Sequence, residues 1–350
     1  MAHTASSSPK QQRIEWMWKS NADPWSSSEK EQWTPYIDVE SIIIEEAFQN
    51  KASEVLLDDY HINLRHFVQI ANNNSETQRP VKRVIQERDD KIKIREARFI
   101  PSDIWPSKSF EQWGSGASNF IFAVRNHFDL DDEFSLDDVP SCRFMVKKAA
   151  EGLILEGKMA GKQKIAEWMT EQLLKVKDGP TENVVNVCAR LYSMESFLLR
   201  KINEVMRLDG DKEKSHLWYS KIPTFGPFTF LLHEMPEHGS ESKTTVFRGA
   251  TLTDELIQQY QNSDKSGYMM FPAFTSTSRN PIVAEIFGGN TIFMIDIVPR
   301  KDAIDISSYS AIPDEEELLL HACFEFRVES CTFNNDKNKW IIHLKSFYVQ

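Results

Sequence analysis

The sequence runs to 350 residues, 41% hydrophobic and 27% charged, with a net charge of −11. That is material for about two or three domains with ordinary cores. The acidic balance excludes general nucleic-acid binding, so no DNA partner is expected. No apolar run approaches the ~18 residues of a membrane span, and the polar, Ser-rich residues 1–10 lack the apolar stretch of a secretory signal. An intracellular protein, of cytoplasm or nucleus, is therefore expected, with no membrane partner. Cys142, Cys188, Cys323 and Cys331 lack metal-ligand spacing and read as free, mostly buried thiols, so no metal is expected.

Residues 1–11 read as a disordered lead. Trp16-Met17-Trp18 then alternates like a half-buried strand, residues 21–24 signal a turn, and residues 32–36 read as the returning strand. Ser41 is expected to cap a short helix with Ile44, Ala47 and Phe48 on one face. Residues 55–57, 60–64 and 67–70 read as further strands. A small curled sheet packed on one helix accounts for residues 12–87.

The order Trp16, Trp33, Tyr36, then Ser41 with Ile44, Glu45, Ala47 and Phe48, then Tyr60, Leu64, Val68, Gln69 and the trailing Arg79, Lys82 and Arg83 resembles a WWE domain. Some members of that family bind the iso-ADP-ribose unit of poly(ADP-ribose); others serve as protein-interaction folds. The resemblance implies that Trp16, Tyr60, Gln69 and Arg79 line such a pocket. An aromatic wall stacks adenine, an amide reads its edge, and a guanidinium pairs with phosphate. Met17 stands where polymer-binding members often carry an aromatic.

Residues 88–108 are charged and irregular, with Pro101 and Pro106, and read as a linker. The second domain spans 109–350. Its first part reads as helices over 110–128, 144–159 and 163–174, then one long helix over 183–208. There Val184, Val187, Leu191, Met194, Leu198, Ile202 and Val205 form the packing stripe, and Gly210 ends it. Residues 222–227, with two prolines and a glycine, break the pattern. After Ser240 the period becomes that of strands: 244–247, 268–271, 274–278, 291–297, 318–323, 324–328 and 340–349. Helices followed by strands predict an α+β domain, a helical lobe on a mixed or antiparallel sheet.

Three stretches of this domain carry chemistry. Arg248-Gly249 ends a strand; the guanidinium suits phosphates and the glycine admits a ligand close to the backbone. Ser276 and Ser278 share a face of an extended Ser-Thr-Ser and can orient another side chain. Residues 312–320 run from a proline through Asp314, Glu315, Glu316 and Glu317 into three leucines. Taken alone this is a solvated acidic turn. If it is extended, Glu315 and Glu317 point one way and Glu316 the other, and such a pair can divide charge stabilisation from proton handling.

Phe247-Arg248-Gly249, then Phe274 to Ser278, then Glu315 to Leu319, in that order, resemble the Arg-Ser-Glu signature of mono-ADP-ribosyltransferases. The resemblance covers residues 105 to 350 and is to the branch that includes vertebrate ecto-enzymes and bacterial binary-toxin transferases. Ala284, Phe287, Tyr192, Ser196 and Asn203 also fit. It implies a helical lobe with a mixed or antiparallel β-sandwich core, NAD as co-substrate, release of nicotinamide, and transfer of ADP-ribose to an arginine-bearing target protein. Arginine is implied because Glu315 stands at the first position of the Glu-x-Glu pair. Glu317 is the implied anion beside the ribose, Ser276 its support, Arg248 the clamp on the dinucleotide and Glu315 the partner of the guanidinium. Arg248, Gly249, Ser276, Thr277, Ser278 and Phe287 form the implied NAD site, and Tyr309, on the loop before the carboxylates, reads equally as a residue that helps present the acceptor and as an exposed loop aromatic. The WWE resemblance adds an ADP-ribosylated protein or poly(ADP-ribose) as a partner. A catalytically silent WWE adaptor and an NAD glycohydrolase are the alternatives.

Overall fold

A computed structural model describes residues 13–86, 118–131, 134–209, 211, 213–234, 244–263, 269–286, 289–297, 303–310 and 315–346. The expected lead, the linker, Phe110, Gly210, Tyr268, Phe287 and residues 312–314 lie outside them. The described residues divide into two units: those up to 86 together with Gly157–Trp168, and the remainder.

In the first unit, β1 (Arg13–Lys19) pairs antiparallel with β2 (Trp33–Pro35), as the Trp-x-Trp alternation and the turn at 21–24 predict. Helix α1 (Asp38–Gln49) follows, then β3 (Glu54–Leu56), β4 (Tyr60–Asn63), β5 (Val68–Ala71) and β6 (Asn74–Gln86). The sheet order is β2-β1-β6-β5-β4-β3. Strand β6 pairs with β5 through its first half and with β1 through its second, so it joins the two ends of the sheet. Sequence reading took its Arg79, Lys82 and Arg83 for a polar tail. Arg79 and Arg83 in fact share the face of the buried Val81, where the Arg83 guanidinium pairs with Glu45 of α1 at 2.8 Å, and only Lys82 turns to the other face.

Ile44, Ala47 and Phe48 of α1 do pack together, against Trp16, Tyr36, Ile62, Leu64 and Val81. Ser41 is not the cap. The N-cap position is Ile37, without a side-chain bond, and the acidic Asp38 and Glu40 complement the helix dipole instead. Ser41 sits inside the first turn, where its Oγ accepts from the Trp16 N–H at 3.3 Å.

Helices come next in the chain: α2 (Asn119–His127), α3 (Val139–Met159), α4 (Gln163–Val176), α5 (Thr181–Ser193), α6 (Phe197–Arg207), α7 (Ser215–Tyr219) and α8 (Ile222–His233), of which the end of α3 and the start of α4, within Gly157–Trp168, belong to the first unit and the rest to the second. The expected long helix is thus two. Val184, Leu191, Leu198, Ile202 and Val205 are buried as their spacing requires, but Met194 and Ser196 are extended. Ser193 and Ser196 flank the break; the Ser193 hydroxyl donates to the Arg190 carbonyl, the local bonding that makes serine a poor helix interior. The expected break at 222–227 is instead the start of α8. Pro223 lies in the first turn, where a missing N–H costs nothing, while Pro227 is carried further inside the helix. Helices α3 and α8 touch so closely that a Cβ on Gly152 would lie 1.9 Å from the Thr224 carbonyl oxygen.

Eight strands follow: β7 (Thr244–Ala250), β8 (Met269–Phe271), β9 (Thr275–Ser278), β10 (Thr291–Ile297), β11 (Ala303–Asp305), β12 (Glu317–Leu320), β13 (Phe324–Asn334) and β14 (Lys339–Ser346). Their order is β11-β12-β9-β7-β10-β14-β13-β8. Only the β10–β14 pairing is parallel among those described. Two strands separate β8 from β10, yet the Phe271 and Phe293 rings lie 6.0 Å apart. Flat neighbours stand about 4.8 Å apart per strand, so the sheet curls over its own core, the sandwich expected of the α+β class. Sequence reading missed β11 and two short helices, α9 (Asp254–Gln261) and α10 (Pro281–Ile286).

Candidate functional site

The strand order sets the site. Strand β12 lies between β9 and β11, with Glu317 opposite Ser278, Leu318 opposite Thr277 and Leu319 opposite Ser276. Glu317 therefore shares a face with both serines. Ser278 is its direct neighbour and Ser276 the diagonal one, whereas the sequence reading gave the supporting role to Ser276.

Glu315 lies before the strand. The chain between the two carboxylates is not extended, as expected, but passes through Glu316 at φ 44°, in the left-handed region that costs a non-glycine residue energy. Glu315 and Glu317 are 0% exposed and Glu316 faces solvent. The strained turn is held on three successive carbonyls. Ser278 Oγ donates to Glu315 O (2.7 Å), the Arg279 N–H to Glu316 O (3.2 Å) and the Ile306 N–H to Glu317 O (3.2 Å). Two carboxylates out of water cost several kcal/mol each before compensation, so the acidic run is not a solvated turn.

Arg248 is buried in β7, and its Nη1 donates to the Ser276 carbonyl at 2.8 Å. Val246 and Ala250, which alternate with it, belong to the sheet core. The guanidinium thus braces β9 from the core side, and contact with a phosphate would require part of that bonding to yield. Gly249 is buried next to it. Gly289, at φ 98°, lies so close that a Cβ would come within 2.4 Å of the Ala250 carbonyl oxygen. Thr277 is fully buried, and its hydroxyl donates to Leu318 O at 2.6 Å, adding a side-chain tie between β9 and β12.

In the helical lobe, the Tyr192 hydroxyl donates to Asn203 Oδ1 at 3.0 Å, joining α5 to α6, and its ring meets Phe274 edge-on at 5.7 Å. Ser196 and Ala284 are core positions. Tyr309 is half-buried on the turn after β11.

The candidate ligand residues of the first unit separate. Trp16 is 0% exposed, stacked on Phe67 at 5.8 Å and edge-on to Phe48 at 5.4 Å, with Nε1 donating to Glu45 Oε2. It packs in this structure as a core residue rather than as an exposed pocket wall. Tyr60, Gln69 and Arg79 do gather. The Tyr36 hydroxyl donates to Gln69 Oε1 (2.7 Å), the Tyr60 hydroxyl to Glu40 Oε2 (2.6 Å), and Gln69 pairs with Arg79 across β5 and β6. The aromatic partner of this group is Trp18, with the Arg79 guanidinium carbon 5.3 Å from its ring centre. Arg79 Nη1 is held by the carbonyls of Lys19 and Asn21. Sequence reading missed Trp18, although its spacing from Trp16 put it on the same face. Burial pushes the Glu40 carboxyl above its ordinary range, against the lowering by the Tyr60 bond and by Lys162.

Among the described residues no group of three or more His, Cys, Asp or Glu is arranged to hold a metal, and no helix is long and apolar enough to cross a membrane. The four thiols are free; Cys331 is half-buried and the others are buried.

Comparison with known proteins gives two family matches, the WWE domain over residues 14–83 and NAD:arginine ADP-ribosyltransferase over residues 181–349. The erythroblast NAD(P)(+)–arginine ADP-ribosyltransferase of Gallus gallus is 32% identical over 162 residues, 44% of this chain and 48% of that protein. The chain thus spans about half the length of this curated relative. Among solved structures, the ADP-ribosyltransferase HopU1 of Pseudomonas syringae pv. Tomato DC3000 aligns with a TM-score of 0.41 at 18% identity, over 62% of this chain and 100% of that one. The type III effector XopAI of Xanthomonas axonopodis pv. citri aligns with a TM-score of 0.42 at 15% identity, over 67% and 95%. With the Arg and Ser-Thr-Ser elements on neighbouring strands and the Glu-x-Glu element beside them, the chain carries a WWE domain over residues 14–83 followed by a domain that matches NAD:arginine ADP-ribosyltransferase over residues 181–349.

Proposed function

We propose that the protein transfers ADP-ribose from NAD to arginine side chains of target proteins, with release of nicotinamide. The observation that carries this reading is the pair of fully buried carboxylates, Glu315 and Glu317, beside Ser276, Ser278 and the Arg248 brace. The family description and the printed activity of the chicken relative support it.

When the nicotinamide–ribose bond breaks, its electron pair leaves with a base that becomes neutral, so no general acid is needed. Positive charge develops on the sugar. In this reading Glu317, fixed in the β12 ladder, supplies the preorganised negative charge beside it. The new bond forms to a guanidino nitrogen. Its pKa lies above about 12, so deprotonation in advance is unfavourable; Glu315 aligns the cation and takes the proton as the bond forms. Gly249 offers backbone to the nicotinamide amide. These groups are nearly inaccessible in the structure, so entry of the dinucleotide must displace the side chains that cover them. Incubation with NAD labelled in the adenylate half tests the reading: label on an arginine acceptor supports it, free ADP-ribose alone makes the protein a glycohydrolase, and no nicotinamide release makes it a silent adaptor.

For the first unit we propose an ADP-ribose-type ligand on Trp18, Tyr60, Gln69 and Arg79, supported by the gathering of these polar groups beside an aromatic ring. Calorimetry with iso-ADP-ribose tests it; no heat up to millimolar ligand leaves a partner protein as the occupant.

A further inference from the structure

Arg279 follows the Ser-Thr-Ser strand, and Asp305 ends β11, on the other side of β12. Their side chains meet across that strand, with Arg279 Nη2 2.8 Å from Asp305 Oδ2. The other carboxylate oxygen accepts from the Ser307 N–H (3.0 Å) and hydroxyl (2.6 Å). Burial alone would raise the Asp305 pKa, but the Arg279 and Ser307 bonds outweigh it and hold the group below its ordinary range. Asp305 is in register with Leu318, so alternation puts it on the face away from Glu317. Each side chain is about one-third exposed, at 32% and 29%, and a pair so placed adds little to overall stability.

Its location gives it another use. Glu317 lies within β12 and is tied on both sides. Glu315 lies outside the strand, beyond the strained Glu316; Ser278 Oγ holds the carbonyl of Glu315, the Arg279 N–H that of Glu316, and the Ile306 N–H that of Glu317, where the turn enters β12. Two of those donors are the N–H of Arg279 itself and that of Ile306, the neighbour of Asp305. The ion pair therefore links Arg279 to the neighbour of Ile306 and so ties together the two segments that hold the turn from either side.

We propose that Arg279 and Asp305 are positioning residues that fix Glu315 relative to Glu317 and so decide whether ADP-ribose passes to a guanidinium or to water. The proposal rests on the transferase reading above. The same nicotinamide–ribose bond breaks in both outcomes. The new bond goes either to a guanidino nitrogen, whose proton passes to Glu315, or to a water oxygen, whose proton passes to solvent. A loosened turn displaces Glu315 and leaves Glu317 in its ladder, so the transfer path alone should suffer.

The test compares the full-length protein with Arg279→Ala, Arg279→Lys and Asp305→Asn, measuring NAD hydrolysis and ADP-ribose transfer to a small guanidino compound. Arg279→Ala and Asp305→Asn should lower transfer about 10- to 100-fold, the scale of an ångström-sized misplacement, with hydrolysis near wild type. Arg279→Lys should recover part of the transfer. A parallel fall in both activities, or no change in their ratio, overturns the proposal. Amide hydrogen exchange reads the same clamp without turnover. The amides at 279 and 306 should exchange about tenfold faster in Arg279→Ala and Asp305→Asn, with those of β12 unchanged. Absence of both activities in the wild-type protein would defeat the transferase reading. In that case unchanged exchange at 279 and 306 overturns the clamp, and faster exchange confined there upholds it.

Discussion

Trp16 and Trp18 on β1, and Glu315 and Glu317 around the start of β12, are two pairs of equal spacing. In each, one residue intervenes; the tryptophans share a face of one strand, whereas the glutamates lie on either side of the left-handed Glu316. The tryptophans separate. Trp16 lies beneath Phe48 of α1 and against Phe67, whereas Trp18 is only partly covered, with Arg79 over its ring. The two glutamates are equally deep, both fully buried. Period two fixes the face of a side chain; the element lying over that face fixes its depth. The energetics differ in sign as well. Burying an indole is favourable in itself, but burying two carboxylates runs against stability. The first pair should therefore report on folding and the second on chemistry.

The largest effect expected in the first unit follows from Trp16→Ala. Loss of a fully buried indole should cost about 3–5 kcal/mol, seen as a lowered unfolding midpoint of that unit in the full-length protein. Trp18→Ala should lower the midpoint much less and abolish the heat of iso-ADP-ribose binding. If Trp18→Ala proves the more destabilising of the two, the assignment of core and pocket is reversed. For the second pair, Glu317→Gln should lower both transfer and hydrolysis about 10²- to 10³-fold, the scale of one lost preorganised electrostatic contact. Glu315→Gln should lose transfer to arginine and keep hydrolysis. Unaltered arginine labelling in Glu315→Gln would remove its role in acceptor recognition.

The same distinction explains what the sequence made visible. The burial of Glu315 and Glu317 around exposed Glu316 is reached through a left-handed turn, but the pairing of β1 with β2 and the packing of Ile44, Ala47 and Phe48 follow from local periodicity. Which tryptophan lies under the helix does not, because Phe48 and Phe67 reach Trp16 from 32 and 51 positions away along the chain. Strand β6 was hidden because Arg79 and Arg83 share the core-facing side with Val81 and so erase the apolar alternation. Helix α8 was hidden because Pro223 and Pro227 resemble breakers when the helix start is unknown. Arg279 and Asp305 could not be paired before the order β11-β12-β9 was known.

Smaller effects test the missed elements. Thr253 precedes α9, and its hydroxyl accepts from the Leu256 N–H at 3.4 Å, a side-chain cap absent from α1. Thr253→Ala should therefore cost about 1 kcal/mol in the transferase unit, and Thr253→Ser should restore most of it. Equal midpoints for the two variants would show that α9 is held by packing of Ile257 and Tyr260 alone.

The smallest expected effect probes the buried charge of the first unit. Glu40 is 6% exposed, accepts from Tyr60, and faces Asp58, Asp59 and Lys162 of the same unit. Burial raises its folded-state pKa above the ordinary 4.5, so the folded protein holds this proton more tightly than the unfolded chain. The resulting stabilisation is complete below the unfolded value and is lost as pH rises through the folded one. Glu45 acts in the opposite direction. Burial alone would raise its pKa, but its bonds to Arg83, Gln49 and Trp16 bring the net value below the ordinary one. Its contribution is therefore present above the ordinary range and fades as pH falls. Wild-type melts against pH contain both slopes. Glu40→Gln keeps an acceptor for the Tyr60 hydroxyl and removes only the Glu40 titration. The difference between variant and wild type isolates it: near-equal midpoints at acid pH, and a higher midpoint in the variant as pH rises beyond the ordinary glutamate range. A constant difference across that range would mean that Glu40 stays ionised in both states, with Lys162 rather than burial setting its charge.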